Sequence, residues 1–194
     1  PLRWFSIGNR FRYERPQRGR LRDFYQTDVD FVGLPAGESD IEIVTVASDI
    51  LKSFGATEKD FAIRINSRAL LGAACKAVGL TDAEGVKAYW VLLDKKAKMS
   101  AEEFAAARGD KDPLKAIEDA TDEAVRREKE KVDALIATLK ERGIENVSFD
   151  PEIVRGFDYY TGMVFEINDT HEDNPRALFG GGRYDALVSL FGGD

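Results

Sequence analysis

Apolar and polar residues alternate between residues 3 and 33, where aromatic and β-branched side chains are frequent. This period of two is typical of β-strands, because successive side chains of a strand point to opposite faces of a sheet. The alternation is interrupted at Arg15-Pro16-Gln17-Arg18-Gly19, whose proline and glycine favour a loop. The pattern therefore predicts two long antiparallel strands joined by this loop.

A helix and a third strand are predicted next. Ser39 and Glu42 have the spacing of a capping box, and apolar residues then recur at helical intervals as far as Gly55. Residues 61–66 alternate again, which predicts another strand.

Residues 67 to 143 have helical periodicity. Two capping boxes and a proline suited to a first helical turn mark helix starts, at Thr81/Glu84, Ser100/Glu103 and Pro113. The apolar positions from Leu114 to Leu139 predict one long helix. Its charge run at residues 126–131 mixes both signs, which favours a solvated face over a contact with RNA.

Strand patterns return at residues 147–149 and 163–167. The predicted organisation is therefore a first part of a sheet-containing core at residues 1–66, a helical insertion at residues 67–146, and a second part of the core at residues 147–194. This order of elements indicates an α+β chain.

Composition narrows the class of protein. At 194 residues, of which 43% are hydrophobic, the chain can bury a full core. It has no run of eighteen apolar residues and no signal-peptide layout at its start, so we expect a soluble, cytoplasmic protein with no membrane partner. Cys75 lies in an apolar run and is predicted to be a buried hydrophobic residue.

Metal chemistry is restricted by the same composition. Cys75 is the only cysteine, and the only histidine, His171, lies in a polar turn and is predicted to be a surface residue. We therefore assign no metal ligands and expect no structural zinc site. Magnesium stays open, because carboxylates and substrate phosphates suffice for it.

Charge is unevenly distributed. The net charge of -7 and the pI near 5.0 argue against a general nucleic-acid surface. Between residues 3 and 22, however, there is one acid and there are seven arginines: Arg3, Arg10, Arg12, Arg15, Arg18, Arg20 and Arg22. A solvated basic hairpin is one interpretation. The complete absence of lysine favours the other, namely planar bidentate donors for phosphate or carboxylate.

Two segments within this pattern resemble known motifs. Arg12-Tyr13-Glu14, the loop, and Arg20 to Phe24 resemble motif 2 of the class II aminoacyl-tRNA synthetases, although Arg12 and Glu14 alone would also fit a cross-strand ion pair. Residues 154–160, Val-Arg-Gly-Phe-Asp-Tyr-Tyr, are far more specific and resemble the signature peptide of histidyl-tRNA synthetases. The stretch Gly-Gly-Gly-Arg-Tyr-Asp at residues 180–185 resembles a further segment of that family.

The resemblance implies a fold and an ATP site. The fold is an antiparallel class II catalytic core, incomplete here, with a helical insertion. Arg12 would contact the α-phosphate and the substrate carboxylate, Glu14 the adenine amino group, and Phe24 would stack on the adenine ring. Arg20 would lie nearer the pyrophosphate end.

The resemblance also implies a histidine site and a second catalytic arginine. Arg155 would reach the α-phosphate, where Arg12 also acts, and Asp30 would pair with the α-amino group. The implied histidine-binding residues are Arg12, Gln26, Asp30, Arg155, Tyr159, Tyr160, Gly181 and Gly182. Core packing of the two tyrosines and a simple tight turn at residues 180–182 are the alternatives.

The implied activity is that of a histidine-tRNA ligase. It would activate L-histidine with ATP to histidyl-adenylate and transfer it to the 3' end of tRNA(His), with Mg²⁺ expected to accompany ATP and no protein ligand assigned to it. The intact parent is expected to be a homodimer. Motif 1 upstream and motif 3 downstream are not found in the chain, so we expect this part alone to be weak or inactive.

Two binding proteins with the same fold are the alternatives. One is a histidine-sensing regulatory paralogue of the ATP phosphoribosyltransferase complex, and the other is a pseudo-synthetase domain that binds tRNA. The regulatory paralogue has no need for ATP-binding arginines, so the presence of Arg12, Glu14, Phe24 and Arg155 argues against it.

Overall fold

The computed structural model describes residues 1–16, 19–156, 159–174 and 177–192. The chain begins with the predicted hairpin, in which β1 (Leu2–Phe11) and β2 (Asp23–Val32) pair antiparallel. The register runs from Leu2 opposite Val32 to Phe11 opposite Asp23, so the two-strand prediction is confirmed. Gln17 and Arg18 of the loop lie outside the described residues.

The first helix starts two positions earlier than its sequence signal indicated. Helix α1 spans Glu38–Ser53, and the side chain of Asp40 accepts a hydrogen bond from the amide of Gly37 at 3.1 Å. The predicted capping box of Ser39 and Glu42 is therefore wrong. Glu42 instead forms an ion pair with Arg3 of β1, with an Nε–Oε1 distance of 2.5 Å, and so attaches the helix to the hairpin.

Five helices follow the strand β3 (Phe61–Ser67). They are α2 (Arg68–Ala77), α3 (Ala83–Lys95), α4 (Ala101–Arg108), α5 (Pro113–Asp119) and α6 (Glu123–Glu141). The capping box of Ser100 and Glu103 and the first-turn position of Pro113 are confirmed. The box of Thr81 and Glu84 is wrong, because α3 is capped by the side chain of Asp82.

The predicted long helix is in fact two helices. Ala120 has a left-handed backbone with φ of 46°, which ends α5, and Asp122 then caps α6. The carboxylate of Asp122 accepts hydrogen bonds from the amides of Ala124 and Val125 at 2.9 and 3.1 Å. Both helices carry apolar residues at the same spacing, so periodicity alone did not reveal the break.

A four-stranded sheet forms the other half of the fold. Its order is β4 (Val147–Phe149), β3, β5 (Met163–Asp169) and β6 (Ala177–Gly182), and only the β4–β3 pair is parallel. The strands predicted at residues 147–149 and 163–167 are confirmed.

The helices and this sheet share one hydrophobic core. One face of β3 and β5 packs with residues of α1, α2 and α6 in a single cluster, whose fully buried members include Val44, Ile63, Ile65, Leu70, Val125, Leu139 and Ile167. The opposite sheet face carries Arg64, Val164 and Glu166. The domain boundaries at residues 66 and 146 stay a prediction.

The remaining surface predictions agree with the structure. The charge run of α6 is solvated, with Lys129 paired to Asp133 at 2.7 Å and Lys131 paired to Glu128 at 2.8 Å. His171 is exposed, with 68% of its side chain accessible.

Within the described ranges, no helix has both the length and the apolar character needed to cross a bilayer.

The cap of α6 can be tested by substitution. Asp122→Ala removes the acceptor of two helical amides, and we expect a loss of about 1 kcal/mol in the free energy of unfolding, measured with urea. Asp122→Asn is the matched control and should stay close to the parent, because asparagine caps equally well. Equal losses in both variants would contradict the capping role.

Cys75 predicts a pH dependence of stability. It is fully buried, and burial raises the pKa of its thiol to about 11. A thiol in the unfolded chain ionises near its ordinary value, so the unfolded state binds fewer protons from about pH 9 upward. Cys75 therefore stabilises the fold below pH 9, and about 2 to 3 kcal/mol should be lost as the pH rises to 11. The free energy of unfolding of Cys75→Ala should lack this loss between pH 9 and pH 11. If the parent and Cys75→Ala lose stability equally over that range, the loss does not come from Cys75.

Candidate active site

Three tyrosines meet at the end of β6. The rings of Tyr159 and Tyr160 are 4.9 Å apart between centroids, and Tyr159 and Tyr184 are 6.1 Å apart, both edge to face. The Tyr184 hydroxyl donates a hydrogen bond to the carboxylate of Asp30 on β2. This contact brings an acid of the hairpin to the tyrosine cluster of the four-stranded sheet.

Burial raises the pKa of two of these phenols. The pKa of Tyr184 is raised, first by burial and then by the hydrogen bond to Asp30. The pKa of Tyr160 is also raised, mainly by burial and next by Tyr159. The hydroxyls of Tyr160 and Tyr184 are therefore protonated near neutral pH, and each can donate one hydrogen bond.

Arg155 lies beside this cluster on the same sheet face. Its Nη1 atom forms an ion pair with Oε1 of Glu166 at 3.0 Å, and four fifths of the arginine side chain is buried. Its backbone is left-handed, with φ of 55°. A hydrogen bond between Arg155 and Tyr160 lowers the pKa of Tyr160, although burial outweighs it and the net pKa is raised. Phe157 and Asp158, which separate Arg155 from the tyrosines in sequence, lie outside the described residues.

Residues 180–182 form strand rather than the expected turn. All three glycines lie within β6, opposite Glu166, Phe165 and Val164. A Cβ on Gly182 would lie 2.7 Å from Cδ1 of the Tyr160 ring, so only glycine lets the tyrosine lie against the sheet. A Cβ on Gly181 would instead point at the Phe165 ring, at 3.0 Å, on the core side. After β6, Val188–Phe191 form a short 3₁₀ turn.

Arg183 connects this end of the sheet to α1. Its guanidinium binds Asp40 and Asp185, with distances of 2.8 and 3.0 Å, and donates to the hydroxyl of Ser39 at 2.6 Å. Its carbonyl accepts a hydrogen bond from the amide of Thr161. Arg183, which immediately precedes Tyr184, is thus fixed by contacts with α1 and with Thr161.

The motif 2 residues lie at the tip of the hairpin. The Arg12 guanidinium stacks on Phe24, with 3.7 Å from Cζ to the ring centroid. Glu14 pairs with Arg20 at 4.0 Å rather than with Arg12, and its side chain is 69% exposed. The tip is therefore a solvated cluster of arginines and aromatic rings.

A polar row on β2 connects the tip with Asp30. Gln26 donates to Asp28 at 2.5 Å, and Asp28 pairs with Arg10 of β1 at 3.1 Å. Phe24 and Asp30 are six residues apart on this strand, which corresponds to about 20 Å. These residues share the face that leads from the arginine tip to the tyrosines.

The family follows from comparison with known proteins. A family model described as histidyl-tRNA synthetase matches residues 1–194. The chain belongs to the histidyl-tRNA synthetase family.

Curated relatives in this family span bacteria and archaea. The histidine-tRNA ligase of Leptospira biflexa is 37% identical over 207 residues, which cover 98% of the chain and 47% of the relative. That of Halorubrum lacusprofundi is 36% identical over 217 residues, covering 100% of the chain and 49% of the relative. The chain thus spans about half the length of the curated relatives it matches.

Solved structures confirm the predicted fold. Histidyl-tRNA synthetase from Nostoc sp. PCC 7120 superposes with a TM-score of 0.80 at 21% identity, covering 98% of the chain and 49% of that structure. An ATP phosphoribosyltransferase regulatory subunit/histidyl-tRNA synthetase from Bacillus halodurans C superposes with a TM-score of 0.74 at 24% identity, covering 99% and 53%. At these identities the likeness shows the α+β class II core and no more.

The structure groups the predicted site residues of this synthetase family member into two sets. The first set lies together at the end of β6 and comprises Asp30, Arg155, Tyr159, Tyr160 and Gly182. Gly181 lies in the same strand, but a Cβ on it would point to the core side. Arg12, Glu14, Arg20 and Phe24 lie together at the hairpin tip, and Gln26 lies between the sets. In the part of the chain that the structure describes, no hydrogen bond or ion pair joins the tip to Arg155.

Two residues of this cluster were missed by the sequence reasoning. Tyr184 was given no role, although it lies in the segment 180–185 that resembles the family, and Glu166 was treated only as part of a strand. A signal for Glu166 existed, because a lone carboxylate between Phe165 and Ile167 in an apolar strand requires a partner. Tyr184 had no comparable signal, since its partner Asp30 is 154 residues away.

The link between hairpin and pocket gives a test. Tyr184→Phe removes the hydroxyl that binds Asp30, and we expect amide hydrogens of β2 to exchange roughly fivefold to tenfold faster, because a hydrogen bond to a charged group is worth on the order of 1 kcal/mol or more. Tyr25→Phe is the control, since the Tyr25 side chain lies on the same strand and is largely exposed. Unchanged exchange in Tyr184→Phe would show that the hydroxyl does not hold the hairpin.

Proposed function

We propose that this chain is the amino-acid-activating part of a histidine-tRNA ligase. The intact protein would bind L-histidine and ATP, form histidyl-adenylate and transfer the histidyl group to the 3' end of tRNA(His). The observation that carries the proposal is the convergence of Asp30, Arg155 and the three tyrosines Tyr159, Tyr160 and Tyr184 at one end of the sheet.

Each of these groups suits one part of a histidine molecule. Asp30 supplies a carboxylate for the α-amino group. The phenols of Tyr159 and Tyr160 supply hydrogen-bonding groups for an imidazole nitrogen, so an apolar side chain of similar size would leave them unpaired. Such an unpaired polar group is what makes a hydrogen-bonding pocket reject the wrong amino acid strongly.

The arginines suit the reaction itself. Activation forces the substrate carboxylate onto the α-phosphate of ATP, and two anions must be held together while pyrophosphate leaves. Arg155 beside the tyrosines and Arg12 at the tip supply positive charge that does not titrate, and Arg155 is already held by its ion pair with Glu166 before the reactants arrive. We propose that Glu14, Arg20 and Phe24 hold the adenine and the pyrophosphate end, and that the polar row with Gln26 faces the substrates between them.

We propose that Mg²⁺ enters with ATP. Across the described ranges there is no group of three or more His, Cys, Asp or Glu side chains that could hold a metal ion, and we assign it no protein ligand. The homodimer and the cytoplasmic location are likewise proposals that rest on family membership.

The regulatory paralogue would use the tyrosine cluster but not the arginine tip. Binding of ATP by the chain therefore separates the enzyme from the regulatory paralogue. The stacked pair of Arg12 and Phe24 at the tip supports the enzyme.

The test is histidine-dependent exchange of labelled pyrophosphate into ATP, with the other amino acids as controls. It should be run on this chain and on the longest form that the gene encodes. We expect exchange in the long form, with histidine only, and weak or no exchange by this chain alone. In the long form Arg155→Ala should lose roughly a hundredfold or more, because removal of one preorganised donor of charge typically has that effect.

Arg126→Ala is the matched control, because Arg126 is an exposed arginine of α6 outside the proposed site. It should exchange like the parent. Histidine binding without ATP binding or exchange in the long form would favour the regulatory alternative, and exchange with many amino acids would contradict the assignment of the pocket.

A further inference from the structure

The guanidinium of Arg155 lies across two neighbouring strands. Glu166 of β5 and Gly180 of β6 are direct partners in the register of the sheet. Arg155 forms its ion pair with the first, and its Cζ atom would be 3.3 Å from a Cβ on the second. The arginine therefore rests on the bare backbone of Gly180 with the Glu166 carboxylate at its side.

Glu166 is an unusual residue at this position. Its neighbours Phe165 and Ile167 are buried in the main core, and its own side chain is 26% exposed. A carboxylate in such surroundings needs a partner with a matching charge. Among the described residues, the ion pair that is observed for Glu166 is the one with Arg155.

The backbone of Arg155 is held as well. Its left-handed conformation is uncommon for a residue with a side chain and persists only where the surroundings enforce it. The carbonyl of Arg155 accepts a hydrogen bond of 2.7 Å from Nη2 of Arg68, which is 5% exposed and stacks on Trp90 at 4.2 Å. With its main chain fixed in this way, the guanidinium is oriented by its side-chain contacts, among them the ion pair with Glu166.

We infer that Glu166 is a positioning residue, which acts by fixing the guanidinium of Arg155 toward the tyrosine pocket. This inference rests on the proposed function in assigning Arg155 to the reacting groups. The rival role for Glu166 is direct binding of the substrate ammonium group. A positioning role would lower kcat and would require Arg155. Direct binding of the ammonium group would raise the KM for histidine whether or not Arg155 is present.

Kinetics of pyrophosphate exchange distinguish them. For a positioning role, Glu166→Ala should lower kcat by about tenfold to a hundredfold, as loss of an orienting partner typically does, with little change in the KM for histidine. Glu166→Gln keeps an acceptor oxygen and should fall between Glu166→Ala and the parent. In the Arg155→Ala background, Glu166→Ala should have almost no further effect. A raised KM for histidine that persists without Arg155 would overturn the inference.

A measurement without substrate keeps the result independent of the proposed function. In chain labelled with ¹⁵N-arginine, the Arg155 Nε–H resonance, assigned with Arg155→Lys, should report a rigid side chain in the parent and a mobile one in Glu166→Ala. Glu172→Ala is the matched control, an exposed acid between β5 and β6 that should leave the resonance unchanged. Equal Arg155 mobility in the parent and Glu166→Ala would overturn the inference.

The kinetic and the NMR experiments distinguish a failure of the proposed function from a failure of the positioning role. A parent that neither exchanges pyrophosphate nor binds histidine contradicts the proposed function, whereas the mobility of Arg155 still decides whether Glu166 holds it. Normal exchange in Glu166→Ala refutes the positioning role and leaves the proposed function intact.

Discussion

The register of β5 between β3 and β6 is the constraint on which the rest of the structure depends. Phe165 and Ile167 point into the core shared with the helices, so Val164 and Glu166 must point to the opposite face. A slip by one residue would exchange the two sets and expose the core. The burial of two apolar side chains thereby fixes the carboxylate that meets Arg155, which means that core packing and site geometry are set by the same interaction.

The hairpin depends on a different set of contacts. It forms a sheet of its own and is attached to the rest by polar groups, namely Arg3 with Glu42 and Tyr184 with Asp30. Arg183 then joins α1 to the end of β6 through Asp40. Polar contacts are directional but weaker than a packed core. The position of Asp30 relative to the tyrosines is therefore set by a few hydrogen bonds.

Local periodicity predicted the elements well and their ends less well. Strand alternation found β3 and β5, where burial of one face imposes period two, and it also found the two hairpin strands, although β1 is largely exposed. The misplaced cap at Ser39 and the break at Ala120 share a cause: several residues near each end could cap the helix, and only the surroundings select one. Glu42 pairs with Arg3 instead of capping α1. Asp122 caps α6, although the apolar spacing continues from α5 into α6 without a break. Contacts between distant segments, such as Tyr184 with Asp30, leave no local pattern, so the family resemblance supplied most of the site.

The two arginines proposed to act on ATP are held by different interactions, and this difference suits their different places. Arg155 is paired with a carboxylate in a largely buried setting, where an unpaired charge would be costly. Arg12 stacks on Phe24 near solvent, an interaction worth about 0.5 to 1 kcal/mol at exposed sites. Stacking of a base on an aromatic side chain is worth about 1 to 3 kcal/mol. Under the proposed function, an incoming adenine would displace the Arg12 guanidinium from the ring and so release its charge for the phosphates.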